Sequence, residues 1–280
     1  MNVGFDLGGT KLLMVASGPQ GRVVERISTG PGFDGAALEA AIDRFIAARE
    51  APPAAVGVAV PGLVGPGPVV QACDVLPALV GWRPPESLLG RWRFAMINDA
   101  AAALAEEYHD AAPGTTGAVV MAGTGIGAAL MMRGRPFGGK SGGAGELGSI
   151  PIAMADGVRT LDQMASGQAL TTRLALDGGA LRARAESGDE TVRVAIAEAG
   201  RALGLGLATL LHVVNPERVA IGGGLTDLPG YLEAALVSAE SHTLPELWRA
   251  CVVQRVREGE LVAALGAARF AEGELDPPDD

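Results

Sequence analysis

From residue 2 the chain reads NVGFDLGGTKLLMVAS, two short apolar runs flanking Gly8-Gly9-Thr10-Lys11. Bulky residues on both sides of a glycine turn predict a β-hairpin. The arrangement returns in GAVVMAGTGIGAALMMRG, where an apolar run meets a turn at Gly123 to Gly127 and a second apolar run follows. The two stretches match in pattern rather than in letters. They predict that the chain begins one structural unit twice, with Gly8 and Gly123 as equivalent turn positions of two similar lobes.

Helical and strand patterns alternate after each turn. Leu38, Ala41, Ile42, Phe45 and Ile46 fall at helical spacing within Asp34 to Glu50. AVGVAV, ahead of Pro61-Gly62, reads as a buried strand. RFAMI reads as another, running into Asn98-Asp99 and an alanine-rich helix that ends near Tyr108. In the second half, Leu161 to Ala175 predicts one helix, and Glu190 to Val214 a long helix stopped by Asn215-Pro216. RVAIGGG is a strand entering a glycine turn, Tyr231 to Ser241 a helix, CVVQRV a strand and Leu261 to Phe270 a last helix. The acidic, proline-rich EGELDPPDD predicts a frayed tail. This alternation places the chain in the α/β class, and the leading hairpins make its sheets mixed. DAAPGTTG, Asp110 to Gly117, has the turn composition of a link between the halves.

Composition narrows the picture. With 48% hydrophobic and 19% charged residues in 280, the chain can bury a sizeable core. A formal charge of −10 repels nucleic acid and anionic membrane surfaces. The near-apolar run GAVVMAGTGIGAALMM is short and broken by glycines, so no membrane helix is expected there. Cys73 and Cys251 form no C-x-x-C pair and read as reduced thiols acting as small hydrophobes. A strand pattern starts at once at the N-terminus, with no basic segment before an apolar one. The expected compartment is therefore cytoplasmic.

Several short segments carry candidate chemistry. In DLGGTK, Asp6 to Lys11, glycines let backbone N–H groups approach phosphate oxygens, Asp6 is placed to hold Mg2+ directly or through water, and Lys11 adds positive charge. A plain hairpin turn with a solvated lysine fits the same letters. GTGIG allows a second phosphate cradle with the Thr124 hydroxyl as donor, or again a tight turn. In INDAAAAL, Asp99 is either a helix N-cap or a general base that takes the proton from an attacking hydroxyl. AIGGGL is either a site for adenosine against bare backbone at Gly222, Gly223 and Gly224, or a strand–helix turn. Neither G-x-G-x-x-G nor G-x-x-x-x-G-K-[ST] fits these segments.

In this order the segments resemble the ROK family (repressors, open reading frames and kinases) of the sugar kinase, hexokinase and actin-like ATPase superfamily. The resemblance rests on DLGGTK, VPGLV, NDAAAALAEE, AGTGIGAAL, GGAGELGS with LDQMASG, and RVAIGGGL, and covers nearly the whole chain. It implies two ribonuclease H-like lobes with mixed β-sheets and an interlobe cleft. The first lobe would be 1–112 plus 259–280, the final helix packing back on it, and the second 113–258. It implies a glucokinase-like hexose kinase using ATP and Mg2+, with Asp99 as base. Gly62, Asn98, Glu146, Ser149 and Asp162 would lie at the sugar. Gly8, Gly9, Thr10 and Lys11, with Gly123, Thr124 and Gly125, would hold phosphates, and a homodimer is implied as well.

The chain departs from the family pattern on the sugar side. Where the family has a histidine after the GE-x-G segment, this chain has Ser149, and SIPIAMADGVRTLDQMASG contains neither Cys nor His. Zinc needs about four converging N or S ligands, so no zinc is expected. The family's glutamate in the sugar loop becomes Asp162, shorter by one methylene. These two shortened groups predict a pocket that is wider, or water-filled, or fitted to a bulkier substrate than glucose, such as an N-acetylated or otherwise substituted hexose or a cyclitol. Two alternatives stay open. A polyphosphate donor would call for a basic groove, and no Lys/Arg run is present. A non-catalytic sugar sensor would call for a DNA-binding segment ahead of Asp6.

Overall fold

The computed structural model describes residues 1–19, 21–65, 67–155 and 157–273, and within these the chain forms two compact units. The first unit takes Met1–Ala112, Arg135–Ala144 and the C-terminal segment from Leu261; the second takes Pro113–Gly134 and Gly145–Glu260. Residues 274–280, most of the acidic tail singled out in the sequence, lie outside the described residues.

In the first unit, β1 (Asn2–Leu7) turns through Gly8 into β2 (Lys11–Gly18), which pairs with β3 (Gly21–Ser28). Helix α1 (Gly35–Ala47) follows, then β4 (Ala55–Val60), β5 (Arg93–Asn98) and helix α2 (Asp99–Glu107). The sheet order is β3-β2-β1-β4-β5, with β1, β4 and β5 parallel and the hairpin antiparallel. Alternation along β1 sends Val3, Phe5 and Leu7 to one face, where they pack with Leu38, Ile42 and Phe45 of α1. Gly4 and Asp6 point to the other face. There the C-terminal helix (Val262–Glu272) and α2 bury small residues, among them Ala59, Ala102, Ala263 and Ala267. The Arg269 guanidinium joins these two helices by donating from Nε to Glu106 Oε2 at 3.0 Å.

The second unit opens with β6 (Gly117–Ala122) and β7 (Ile126–Met132), joined at the Gly123 turn. Helices α3 (Leu161–Ala165), α4 (Gly167–Leu174) and α5 (Glu190–Val214) precede β8 (Arg218–Gly222). Helix α6 (Tyr231–His242) and β9 (Val252–Arg255) follow, and within the unit's sheet these strands run in the order β7-β6-β8-β9. β6, β8 and β9 are parallel. Both units thus begin with a hairpin whose first strand pairs antiparallel with its second and parallel with a later one. The repeat that is faint in letters is plain in topology, and the mixed α/β class expected from the sequence is the class observed.

The long helix α5 ends where its residues dictate. Asp189 Oδ1 accepts from Val192 N at 3.2 Å, and Asn215 takes the left-handed conformation that closes a helix. By length and composition α5 would suffice to cross a membrane, yet 67% of its most apolar stretch is buried inside the protein. The single helix expected over Leu161 to Ala175 is instead two. Ser166 adopts an extended backbone, and its Oγ accepts from Ala169 N at 3.1 Å, so it ends α3 and caps α4. The sequence pattern also passed over β3, the ribbon Pro151–Met154 with Gly157–Thr160, and the helices Gly178–Glu186 and Pro245–Ala250.

Candidate active site

In the first unit the register of the parallel strands does the assembling. Asp6 pairs with Ala59, Ala59 with Ile97 and Val60 with Asn98. Strands lie about 4.8 Å apart, so the ends carrying Asp6 and Asn98 are two strands, roughly 10 Å, from one another. The carboxyl ends of parallel strands are where open α/β sheets bind ligands. Asp6, the Gly8 turn, Gly62 and Asn98-Asp99 all stand along this one edge. The Gly8 turn is closed by Gly8 N donating to Lys11 O at 2.8 Å, and Thr29 Oγ1 donates to Gly8 O at 2.6 Å. Gly9 and Thr10 form the tip, and Lys11 is exposed.

Asn98 and Asp99 divide the work of starting α2. Asn98 is the N-cap, its Oδ1 accepting from Ala100 N at 2.9 Å and Ala101 N at 3.2 Å. Its Nδ2 donates to Gly62 O at 2.9 Å, tying the end of β5 to the segment after β4. Gly62 has φ +105°, and a Cβ there would lie 2.1 Å from Ala72 O, so only glycine fits. The helix-capping role that the sequence left open for Asp99 belongs to its neighbour. Asp99 is the first helical residue, with Oδ1 2.8 Å from Ala100 N. Burial pushes the nearby Cys73 thiol up, and the charges of Asp74 and Asp99 push the same way.

In the second unit two glycine turns stand side by side. Gly222 at the end of β8 pairs with Met121 near the end of β6, so the turns after both strands meet. Gly223 has φ +93°, and a Cβ there would lie 2.3 Å from Ala122 O. The Gly123 turn is closed by Gly123 N donating to Gly125 O at 2.9 Å, with Thr124 at its exposed tip. Arg182, from the helix the sequence reading missed, donates to Gly224 O at 3.3 Å and brings a cation to this edge. Its signal in the sequence was only one of the two arginines in ALRARAE.

The GELGS loop is pressed onto β7. Ala128 N donates to Gly145 O at 3.1 Å, and the short turn Leu147–Ser149 is closed by Ser149 N donating to Glu146 O at 3.1 Å. Leu147 is buried while Glu146 and Ser149 are exposed. Asp162, in α3, is turned toward the Gly123 turn: its Oδ1 accepts from Ile126 N at 2.6 Å. From α4, Gly167 N donates to Gly123 O at 2.9 Å and Gln168 N to Thr124 O at 3.0 Å. Behind them the buried Tyr231 hydroxyl donates to Ala165 O at 2.7 Å; burial, and then the charge of Asp162, hold that phenol protonated.

Where the family pattern would place zinc ligands, the chain builds the ribbon of Pro151–Met154 and Gly157–Thr160, which offers no imidazole or thiolate. These residues do not fit a zinc site. Among the described residues no group of three or more His, Cys, Asp or Glu side chains converges to hold a metal. Asp6 and Asp99 are hard oxygen donors of the kind that Mg2+ uses singly or in pairs together with substrate phosphates.

Comparison with known proteins bears on the whole chain. A match to the ROK family covers residues 2–274. The chain is 29% identical over 254 residues to the bifunctional enzyme NanE/NanK of Brucella melitensis biotype 1, covering 85% of this chain and 48% of that one. It therefore spans about half the length of that relative. It is 27% identical over 301 residues to the N-acetyl-D-glucosamine kinase of Escherichia coli O6:H1, covering 96% of this chain and 98% of the relative. Among solved structures it is similar to the ROK hexokinase of Thermus thermophilus, with TM-score 0.74 and 29% identity over 98% of each chain.

Proposed function

Since this chain belongs to the ROK family, we propose that it is an ATP-dependent carbohydrate kinase. The observation that carries this reading is the strand register of the first unit. It sets Asp6, the Gly8–Lys11 turn and Asn98-Asp99 along one edge of parallel strand ends. The second unit adds a pair of glycine turns at the ends of adjacent strands, at Gly123–Gly125 and Gly222–Gly224.

In this reading the backbone N–H groups of Gly8 to Thr10 and Gly123 to Gly125 hold phosphate oxygens, with Lys11 and Thr124 beside them. Gly222 to Gly224 take the adenosine, where bare backbone lets a flat ring approach. Mg2+, held by Asp6 directly or through water, would offset phosphate charge. Asn98 and Glu146 hydrogen-bond sugar hydroxyls, and Asp99 accepts the proton of the attacking hydroxyl. Fixing Asn98 on Gly62 and on the start of α2 holds Asp99 in one place, which matters because such transfers depend mostly on positioning and charge. ATP is preferred to polyphosphate as donor, in keeping with the absence of a Lys/Arg run.

The acceptor is proposed to be an N-acetylated hexose. Ser149 is shorter than the family's histidine, and Asp162 Oδ1 is spent on Ile126 N, so two sugar-side groups reach less far. The name of the relative from Escherichia coli points to the same class. An unpaired buried polar group costs about 1–3 kcal/mol, enough to reverse a preference between glucose and its acetamido analogues. The test is ADP release with Mg-ATP over glucose, mannose, their N-acetylated amines and inositols. The highest kcat/KM is expected on an N-acetylated hexose. Glucose leading by a wide margin would reject the substrate assignment, and no ADP release with any acceptor would reject the kinase.

A further inference from the structure

The family resemblance gives the Asp162 position to the sugar, but its surroundings in this protein belong to the phosphate-side turn. Its Oδ1 accepts from Ile126 N, the residue that ends the Gly123 turn, at 2.6 Å. The same oxygen is wedged against bare backbone: a Cβ on Gly148 would lie 3.1 Å from it and one on Gly125 3.5 Å. The turn receives two more bonds from the same direction. Gly167 N and Gln168 N, at the start of α4, donate to Gly123 O and Thr124 O. Those N–H groups are available because the first N–H groups of a helix have no partner within it, and the break at Ser166 creates such a start beside the turn. The seat is fixed from behind by the buried bond of Tyr231 to Ala165 O.

We propose that Asp162 is a positioning residue that fixes the Gly123–Ile126 turn for the phosphoryl donor, and is not a ligand of the sugar. This inference rests on the kinase reading of the turn, since only then does a fixed turn have a donor to hold. Gly148 belongs to the same packed corner: a Cβ there would lie 2.4 Å from Ile126 O and 3.1 Å from Asp162 Oδ1.

The test compares Asp162→Asn and Asp162→Ala with the parent protein. The asparagine Oδ1 still accepts from Ile126 N, so it keeps the clamp and loses the charge and the second acceptor oxygen; alanine loses the clamp as well. A bond of this kind to a charged group corresponds to a factor of about 10–100. Asp162→Ala is expected to lose about that factor in kcat/KM for Mg-ATP while its acceptor KM changes little, and Asp162→Asn to recover most of the loss. If both variants instead raise the acceptor KM about tenfold or more with the Mg-ATP KM unchanged, Asp162 is a sugar ligand and the proposal is wrong. Hydrogen exchange at the Ile126 amide reads the clamp without turnover. Protection is expected in the parent and Asp162→Asn and loss of it in Asp162→Ala; equal exchange in all three overturns the clamp. A parent protein inactive on every acceptor, with this exchange pattern intact, would remove the kinase reading and leave the clamp standing.

Discussion

Asn98 and Asp99 are adjacent polar residues with opposite duties. A cap must have extended backbone, and Asn98, at φ −64° and ψ 148°, has it, while Asp99 already lies in the helix. Letters alone do not show which of two neighbouring Asx residues starts a helix, so the sequence left Asp99 open between cap and base. The division makes the two roles separable. Asp99→Asn is expected to keep the folding midpoint near that of the parent, since its Oδ1 can still accept from Ala100 N, and to lower kcat by about 10²–10⁴. Asn98→Ala is the contrasting variant: loss of the cap costs about 1 kcal/mol and the bond to Gly62 O goes with it, so its thermal midpoint should drop. Turnover of Asp99→Asn within a few fold of the parent would remove Asp99 from the chemistry.

At the scale of elements, what the sequence showed was what periodicity and caps can encode. Helix α5 was legible to its last residue because Asn215-Pro216 stops a long apolar stripe. The GGG and GTG turns were legible because glycine clusters follow apolar runs. The ribbon of 151–154 and 157–160 was not, because its side chains are mostly exposed and leave no alternation to read. The break at Ser166 was hidden as well, since Ala169 and Leu170 carry the apolar pattern on past it; Ser166 caps the new start and the Gly123 turn receives its first N–H groups. That contact is tight. A Cβ on Gly167 would lie 2.8 Å from Gly123 O, which is backbone and cannot swing aside. In an ordinary helix, glycine to alanine gains up to about 1 kcal/mol, whereas overpacking costs about 1–3 kcal/mol. Gly167→Ala is therefore expected to lower the melting temperature and to weaken Mg-ATP use. A raised melting temperature with unchanged kinetics would show that the turn is not braced there.

For the whole molecule, the sequence disclosed two similar halves through their hairpins, and the strand orders bear out that likeness. It could not disclose how closely the C-terminal helix sits on the first sheet, because that depends on residues that lack side chains. A Cβ on Gly4 would lie 1.8 Å from Ala264 O and one on Gly57 1.8 Å from Ala267 O, while one on Gly266 would lie 1.7 Å from Ala102 O. Helix and sheet meet backbone to backbone, so specificity here comes from smallness rather than from apolar bulk.

This seating fixes an order of events as the chain leaves the ribosome. The Gly4 face of β1 cannot be covered until a helix made some 260 residues later arrives to lie across it. Most of the second unit, by contrast, is one unbroken stretch, Gly145–Glu260, and can close on itself meanwhile. Refolding followed by pulsed hydrogen exchange should find β6 and β8 protected before β1 and β4. Simultaneous protection of all four would mean that the late helix is not what the first sheet waits for.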